Sequence, residues 1–404
     1  LRQLIFDLDV DGFVAPDLTI LSEDITTSGI NDIAYQQESD GLVWCALDNG
    51  DMACMTYDRD QKVVAWHKHT TEGAFESVAS IPDPPNADDQ LWACVNRTIN
   101  GISRRYIEYL DPNIHVDSGL EFTQTTDLIT NGTFDTAITS WTDKSVSTGS
   151  IAWDPAQKMN LTSTSSSAYG WAQQSITTVS GSVYILTVTI GGGTVTCRVG
   201  DTNGGTENVN DTTLATGSRL IRFTATATTT YIGFFHQDND IYSIDTVICK
   251  LGATAISGLD HLEGKTIKVT GDNNAVLDDE VVSSGAITAS EEIITGKFGL
   301  AYTGTLVSLP PEKDLANGST FGRRKSWVRI FIRIYQTNAL TINGTTILFR
   351  SAADPMDAPP PVFSGFKDIT NLGWTTEDES ITIAQSDPVG MTVLSITGEM
   401  SVES

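Results

Sequence analysis

His67 and His69 lie in the run YDRDQKVVAWHKHTTEGAFESV (57–78). They are two residues apart, so on a β-strand both imidazoles project from one face. Two such rings could supply half of a zinc or iron site. A catalytic metal also needs a third ligand and an open position, and nothing in the sequence nominates either. The pair is therefore expected to be two polar residues at the exposed end of a strand. DLDVDGFVAPDL (7–18) sets Asp7, Asp9, Asp11 and Gly12 at the first ligand positions of a calcium loop. Leu18 then falls where a bidentate Glu is required and Pro16 sits inside the loop, which removes that reading. GLDHLEGKT (258–266) places five residues between its glycines where a phosphate-binding loop has four, and a strand rather than a helix follows. There is no nucleophile elbow, and carboxylates are too numerous to single out a pair. Catalysis is not expected.

Binding chemistry is easier to place. AYGWAQQSI (168–176) alternates Tyr169, Trp171 and Gln173 along one strand face. Aromatic faces stack on sugar rings and an amide bonds hydroxyls, so these three are candidate carbohydrate contacts; the alternative puts Trp171 in a core. Asp245, in SIDTV, is a candidate ligand for a structural calcium, and no other cofactor is expected. Arg323, Arg324, Lys325, Arg329 and Arg333 gather five cations in a short stretch of an otherwise acidic chain. Interleaved with Trp327, Phe331 and Tyr335, they suit an acidic neighbouring subunit better than nucleic acid.

The elements that must position these residues read as strands throughout. The 404 residues are 40% hydrophobic, with short alternating runs divided by Asp, Asn and Gly and without long helical periodicity. The expected class is all-β. Asn49-Gly50 marks a hairpin between strands near 42–46 and 52–56. Ile33 maps onto Val78 and Trp44 onto Trp92, offsets of 45 and 48 residues, the length of a β-propeller blade. From 123 to 250 the chain turns rich in Thr, Ser and Gly, with strands such as YILTVTI (184–190) and LIRFTATA (220–227). About eight strands fit there, as in a jelly roll. WVRIFIRIY (327–335) alternates, putting Val328, Ile330, Ile332 and Ile334 on one face. The expected organisation is a propeller-like or β-sandwich body over 1–122 and 251–404, interrupted by a jelly-roll β-sandwich over 123–250.

The totals narrow the class further. With 24 Lys+Arg against 51 Asp+Glu the formal charge is −27, which disfavours tight nucleic-acid binding but suits a wall past which DNA slides. Five cysteines without a CxxC point to buried thiols rather than a disulfide or zinc framework. No signal peptide or membrane-length apolar run is visible, and a first residue of Leu suggests a piece of a longer product.

INDIAYQQESDGLVWCALDNGDMACMTYDRDQKVVAWHKHTT (30–71) resembles the tail nozzle, or tail tubular protein B-like, family of short-tailed bacteriophages and prophages. SGLDHLEGKTIKV, GLAYTGTLVSLPPE, GRRKSWVRIFIRIYQTNAL and DPVGMTVLSI resemble later segments of the same family, in the same order. The resemblance covers most of 1–122 and 251–404, and the intervening stretch looks like a carbohydrate-binding module. It implies a non-enzymatic virion component, a homohexameric ring around a DNA-ejection channel. The implied neighbours are the tail adaptor and tail fibre or spike proteins, with host surface polysaccharide as a further contact of the module. The alternative is a carbohydrate-binding adhesin; a glycan-degrading enzyme stands third.

Overall fold

The computed structural model describes residues 1–402 apart from 39, 59, 84, 86, 87, 313, 316, 317, 321, 322, 353, 355–358 and 371–379. Among the described residues, one four-residue α-helix (Glu23–Thr26) and two 3₁₀ turns are the only elements that are not strands. The protein is all-β. No helix among these residues is long and apolar enough to cross a membrane.

The first part builds two antiparallel sheets. One runs in order Ile30–Gln36, Leu42–Leu47, Met52–Asp58, Val63–His69; the other is Ala74–Asp83, Asp88–Ile99, Ile102–Tyr109. They pack face to face through Ala34, Trp44, Ala46, Met52 and Cys54 against Val78, Leu91, Ala93 and Val95. Which face each repeat residue takes distinguishes a rotational repeat from a two-fold sandwich. Trp44 points into the shared interface, whereas Trp92, one residue off the buried Leu91 and Ala93, points away from it. Ile33 is turned from the interface and Val78 is turned into it. Each pair is thus related as the fronts and backs of successive propeller blades are. The hairpin at Asn49-Gly50 is a three-residue loop: Leu47 N–H donates to Asp51 O, and Gly50 takes φ +89°, the left-handed position that three-residue loops assign to glycine.

Residues 142–251 supply both sheets of a sandwich. The front sheet is ordered Thr142–Asp143, Trp171–Thr177, Thr229–Phe235, Val195–Gly200, Val209–Leu214; the back sheet is Ser150–Asp154, Lys158–Thr162, Ile241–Leu251, Val183–Gly191, Gly217–Thr224. That makes ten strands where about eight were expected, because edge strands as short as Thr142–Asp143 lack an alternating pattern. Alternate residues of each sheet meet between them: Ala172, Ile176, Cys197, Ile232 and Phe234 from the front, Tyr184, Leu186, Val188 and Ile190 from the back. The stretch LITNGTFDTAITSW closes one end by inserting Phe134 and Trp141, whose rings lie 5.8 Å apart, beside Phe234.

The chain enters and leaves this sandwich at one place. Lys250 Nζ donates to Gln124 O (2.6 Å), Leu128 N–H to Cys249 O, and Gln124 N–H to Ile294 O. A second tie lies beside it, two strands across the back sheet from Lys250: Arg222 reaches Glu291 (3.1 Å) and the buried Asp272 (3.6 Å).

The remaining strands join both flanks of the sandwich. Asp117–Thr123 pairs antiparallel with Thr295–Leu300, which continues to Thr266–Thr270 and Glu280–Val281. Lys325–Thr337 lies between Phe363–Thr370 and Thr392–Val402, and Ile330, Ile332 and Ile334 pack on Ile342 and Ile383 of a neighbouring sheet. Val328 departs from the expected alternation. A bulge between Trp327 and Arg329 turns Trp327 toward the core and leaves Val328 44% exposed.

Candidate functional site

On the front sheet, register fixes which side chains share the outer face. Trp171 lies opposite Phe235, which lies opposite Thr196; Gln173 faces Gly233, and Gly233 faces Arg198. Because Ala172, Phe234 and Cys197 point into the core, these neighbours point out. Trp171 is therefore not core, which removes the alternative that it fills the sandwich. Tyr169 precedes the strand but joins the same cluster: its ring is 5.6 Å from that of Phe235, and the Trp171 ring is 6.2 Å from it. The three aromatics are contiguous, with Tyr169 and Trp171 forming a half-buried shelf at the surface and Phe235 buried beneath them.

Trp171 lies down because the residues beneath and beside it are glycines. A Cβ on Gly233 would stand 2.9 Å from Trp171 Nε1, and one on Gly204 would stand 3.1 Å from its Cη2. The Nε1–H is buried and has no hydrogen-bond partner. Gln173 lies on the same face and is 3% exposed. Buried polar groups are normally satisfied, so the indole N–H pressed against Gly233 is an unsatisfied donor at the sheet surface.

Arg198 frames the shelf, its guanidinium 5.4 Å from the Trp171 ring centre and 5.1 Å from that of Phe235. Three of its five N–H donors are used within the chain. Nε and Nη2 donate to the two oxygens of Asp211 (2.6 and 2.7 Å), and Nη1 donates to Gly204 O (3.1 Å). The Asp211 hydrogen bond raises the guanidinium pKa further. The loop carrying Gly204 is itself held by Glu207, which accepts from Asp201 N–H (2.9 Å) and Thr202 Oγ1 (3.0 Å). Hydrogen bonds from its own and the Asp201 backbone amide hold the Glu207 carboxyl below its ordinary value.

Of the candidates read from sequence, Tyr169, Trp171 and Gln173 are thus brought together. Phe235, Arg198, Gly233 and Asp211 were missed. They lie 27 to 64 residues further along the chain, and only the pairing register, which sequence periodicity does not specify, sets them beside Trp171. Asp245 accepts from Thr246 Oγ1 (3.0 Å), and no three His, Cys, Asp or Glu side chains among the described residues are grouped to hold a metal.

His67 is exposed on the edge strand as expected, whereas His69 is half-buried. They share a face, but that face carries Trp44, whose ring lies 6.1 and 5.2 Å from theirs, and the two imidazoles are 4.9 Å apart. Nε2 of His69 is buried without a partner. Burial, and then the neighbouring His67, push the His69 pKa down to about 4; burial also lowers that of His67.

The cations near 325–333 are mostly spent within the chain. Lys325 is 2% exposed and bonds Pro311 O and Glu312, both at 3.1 Å, so it is no surface contact. Arg329 pairs with Asp368 (2.6 Å) and covers Phe331, while Arg333 lies over Phe366. Arg324 is exposed and Arg323 half-buried just ahead of the strand.

No protein-family model matches the chain, and no curated protein matches it in sequence. Among solved structures it is similar to an exo-β-1,3-galactanase from Phanerochaete chrysosporium with galactose, at 12% identity and a TM-score of 0.18, over 54% of this chain and 56% of that one. It is also similar to the CBM22-1–CBM22-2 tandem domain of Paenibacillus barcinonensis Xyn10C, at 11% identity and a TM-score of 0.23, over 69% of this chain and 99% of that one. A third is the M60 catalytic domain with CBM51-1 and CBM51-2 from Clostridium perfringens ZmpB, at 10% identity and a TM-score of 0.17, over 88% of this chain and 46% of that one. The chain thus spans about half the length of the first and third. Overlaps this slight carry no functional argument.

Proposed function

We propose that the sandwich of residues 123–250 binds carbohydrate on the outer face of its front sheet, and that the rest of the chain is a non-catalytic structural body of a phage tail. The observation that carries the first half is the outward-facing pair Tyr169 and Trp171, backed by the buried Phe235, with Gln173 on the same face. Stacked aromatics supply apolar contact to a sugar face, worth about 0.5–1.5 kcal/mol each beyond area burial, and polar groups set its orientation. Single-site affinity near millimolar follows, and display on six copies makes it useful.

The body reading rests on the segments within 1–122 and 251–404 that resemble tail nozzle proteins, and on the −27 charge of a surface that lets DNA pass. It is also supported by the first residues, where Leu4, Leu8, Phe13 and Leu21 are 70, 86, 71 and 95% exposed, as a subunit awaiting neighbours leaves them. In this reading the protein resides in the virion as a homohexamer, between the adaptor and the fibres or spikes.

Affinity electrophoresis against bacterial surface polysaccharides tests the first half. Trp171→Ala and Tyr169→Ala are expected to abolish retardation. Trp171→Ala should cost about 1–2 kcal/mol of stability, below the roughly 3–5 of a core Trp, because the ring is half-buried and the orphaned N–H is removed with it. Wild-type protein that no polysaccharide retards ends the glycan reading. Electron microscopy of the protein tests the second half: six-fold rings with a pore are expected, and a strict monomer at all concentrations would leave an adhesin as the better description.

A further inference from the structure

We infer that the outer face of the second blade-like sheet docks, head to tail, on the back of the first sheet in another copy of this chain, an inference that rests on the assembly reading above. The two sheets within 30–109 already make the contact that would be repeated. The face of the first sheet that carries Trp44 packs on the face of the second that carries Val78, Leu91, Ala93 and Val95. In the repeat Trp92 stands where Trp44 does, but its face is turned from that interface. The chain itself thus shows what covers a Trp-bearing face of this kind: the opposite face of another such sheet.

Register assembles the outer face. Trp92 lies between Ala79 and Tyr109, and Cys94 between Ser77 and Ile107. The Trp92 and Tyr109 rings are 5.2 Å apart, and Ile81, Ile107 and Tyr109 are 48, 69 and 51% exposed. Ile107 and Tyr109 also lie on an edge strand, where exposed apolar side chains favour pairing with another chain. The other end of the stack offers the matching surface. Ile33, the repeat counterpart of Val78, shares the back of the first sheet with Tyr35, Val43 and Cys45. Cys45, Leu47 and Ala53 on that back are packed under Ile25 and Trp66, which leaves Ile33 and Tyr35 exposed on the neighbouring strand. The two open faces lie at opposite ends of a two-sheet stack, so they cannot meet within one chain and can meet only between copies. Contact between unlike faces is heterologous, and because the sheets are related as successive blades are, its repetition curves toward a closed ring.

The test is sedimentation velocity of the full chain over a range of concentrations, for wild type, Ile33→Lys, Ile107→Lys and an equimolar mixture of the two variants. Both isoleucines are exposed, so both variants are expected to fold; melting curves check this, and Ile33→Val and Ile107→Val should assemble as wild type does. Wild type is expected to form oligomers. Each Lys variant alone loses one side of every contact, and its association is expected to weaken by about 30-fold or more. The mixture is expected to stop at a dimer, because the intact outer face of Ile33→Lys meets the intact back of Ile107→Lys and no further pair of intact faces is left. A mixture that stays monomeric would overturn the inference. So would loss of assembly in Ile107→Lys with Ile33→Lys behaving as wild type, since like faces would then be pairing. Unchanged assembly in both variants would overturn it while leaving the assembly reading intact. A wild type that is monomeric at every concentration would remove that reading and the inference together.

Discussion

Replacing Arg97 with Met is expected to be among the most destabilising single changes in the chain. The Arg97 side chain is 0% exposed, yet all of its donors are met. Nε and Nη2 bond the two oxygens of Glu108 (2.8 and 2.7 Å), Nη1 and Nη2 bond those of Asp117 (3.1 and 2.9 Å), and Nη1 also reaches Thr71 Oγ1 (2.6 Å) and Glu72 O (3.1 Å). Burial alone would lower the guanidinium pKa, but the bonds from Glu108 and Asp117 outweigh it and hold the group above its ordinary value. The cluster also joins two parts of the body, because Glu108 belongs to the second blade-like sheet and Asp117 to the strand paired with Thr295–Leu300. Methionine keeps much of the volume and removes the charge, leaving two carboxylates only 24% and 18% exposed without their cation. Breaking one side of a buried ion pair costs about 3–5 kcal/mol, and the partial exposure of the acids argues for the lower end, about 3. That corresponds to a melting shift of about 6–12 °C for a unit of this size. Thermal unfolding followed by tryptophan fluorescence is the assay, and hydrogen exchange should show the strands around 74–109 opening earlier than those around 266–300. Arg97→Lys, which keeps charge but loses the fork, should fall between. A loss below about 1 kcal/mol in Arg97→Met would refute the argument that this cluster couples the two parts.

Three further outcomes follow from the same structure. His69 has a folded pKa of about 4 against an unfolded value near 6.5, so the unfolded chain binds the extra proton; stability is full above pH 6.5 and falls as pH drops toward 4, by at most about 2 kcal/mol at pH 5. Urea midpoints of wild type and His69→Gln across that range check it, and parallel curves would contradict it. Cys45, Cys54, Cys197 and Cys249 are buried, and burial raises all four thiols, Cys45 to about 11 and Cys54 to about 12; only Cys94 should react with a thiol reagent before unfolding. Joining Gln124 to Leu251 through a short Gly linker should yield a body that still unfolds cooperatively, because those residues already touch; an aggregated or non-cooperative product would show that the sandwich is needed for the body to fold.

How much of this was readable in advance depended on range. Local signals carried well: the period-2 runs gave strands, and the Asn49-Gly50 turn and the face sharing of His67 with His69 follow from adjacent residues alone. The rotational relation of the two blade-like sheets was half-visible, since the offsets of Ile33 and Trp44 were present but their facing directions were not. What failed depended on remote pairing. Val328 was misplaced because a bulge against Met400–Glu399 shifts the strand by one residue, and no composition signal marks it. His69 departs from its expected exposure because Trp44, two strands away, is not adjacent in sequence. Arg198 and Gly233 became part of the shelf only through the order of strands in the front sheet.

The stem at Gln124 and Lys250 has a mechanical consequence. A module hung from one point swings like a pendant, and a pull on its ligand would be spent in rotating it. Here Arg222, two strands from Lys250 in the back sheet, ties to Glu291 and Asp272, so the attachment is widened across three strands. Asp272 is itself fixed, accepting from the Ile294 and Thr295 amides and from Thr295 Oγ1 (2.9 Å). A footing spread over three strands resists torque as well as tension. Drag on a bound polymer would then be delivered to the body as a directed load rather than dissipated at a swivel, and cutting the Arg222 strut alone should turn the bracket back into a pendant.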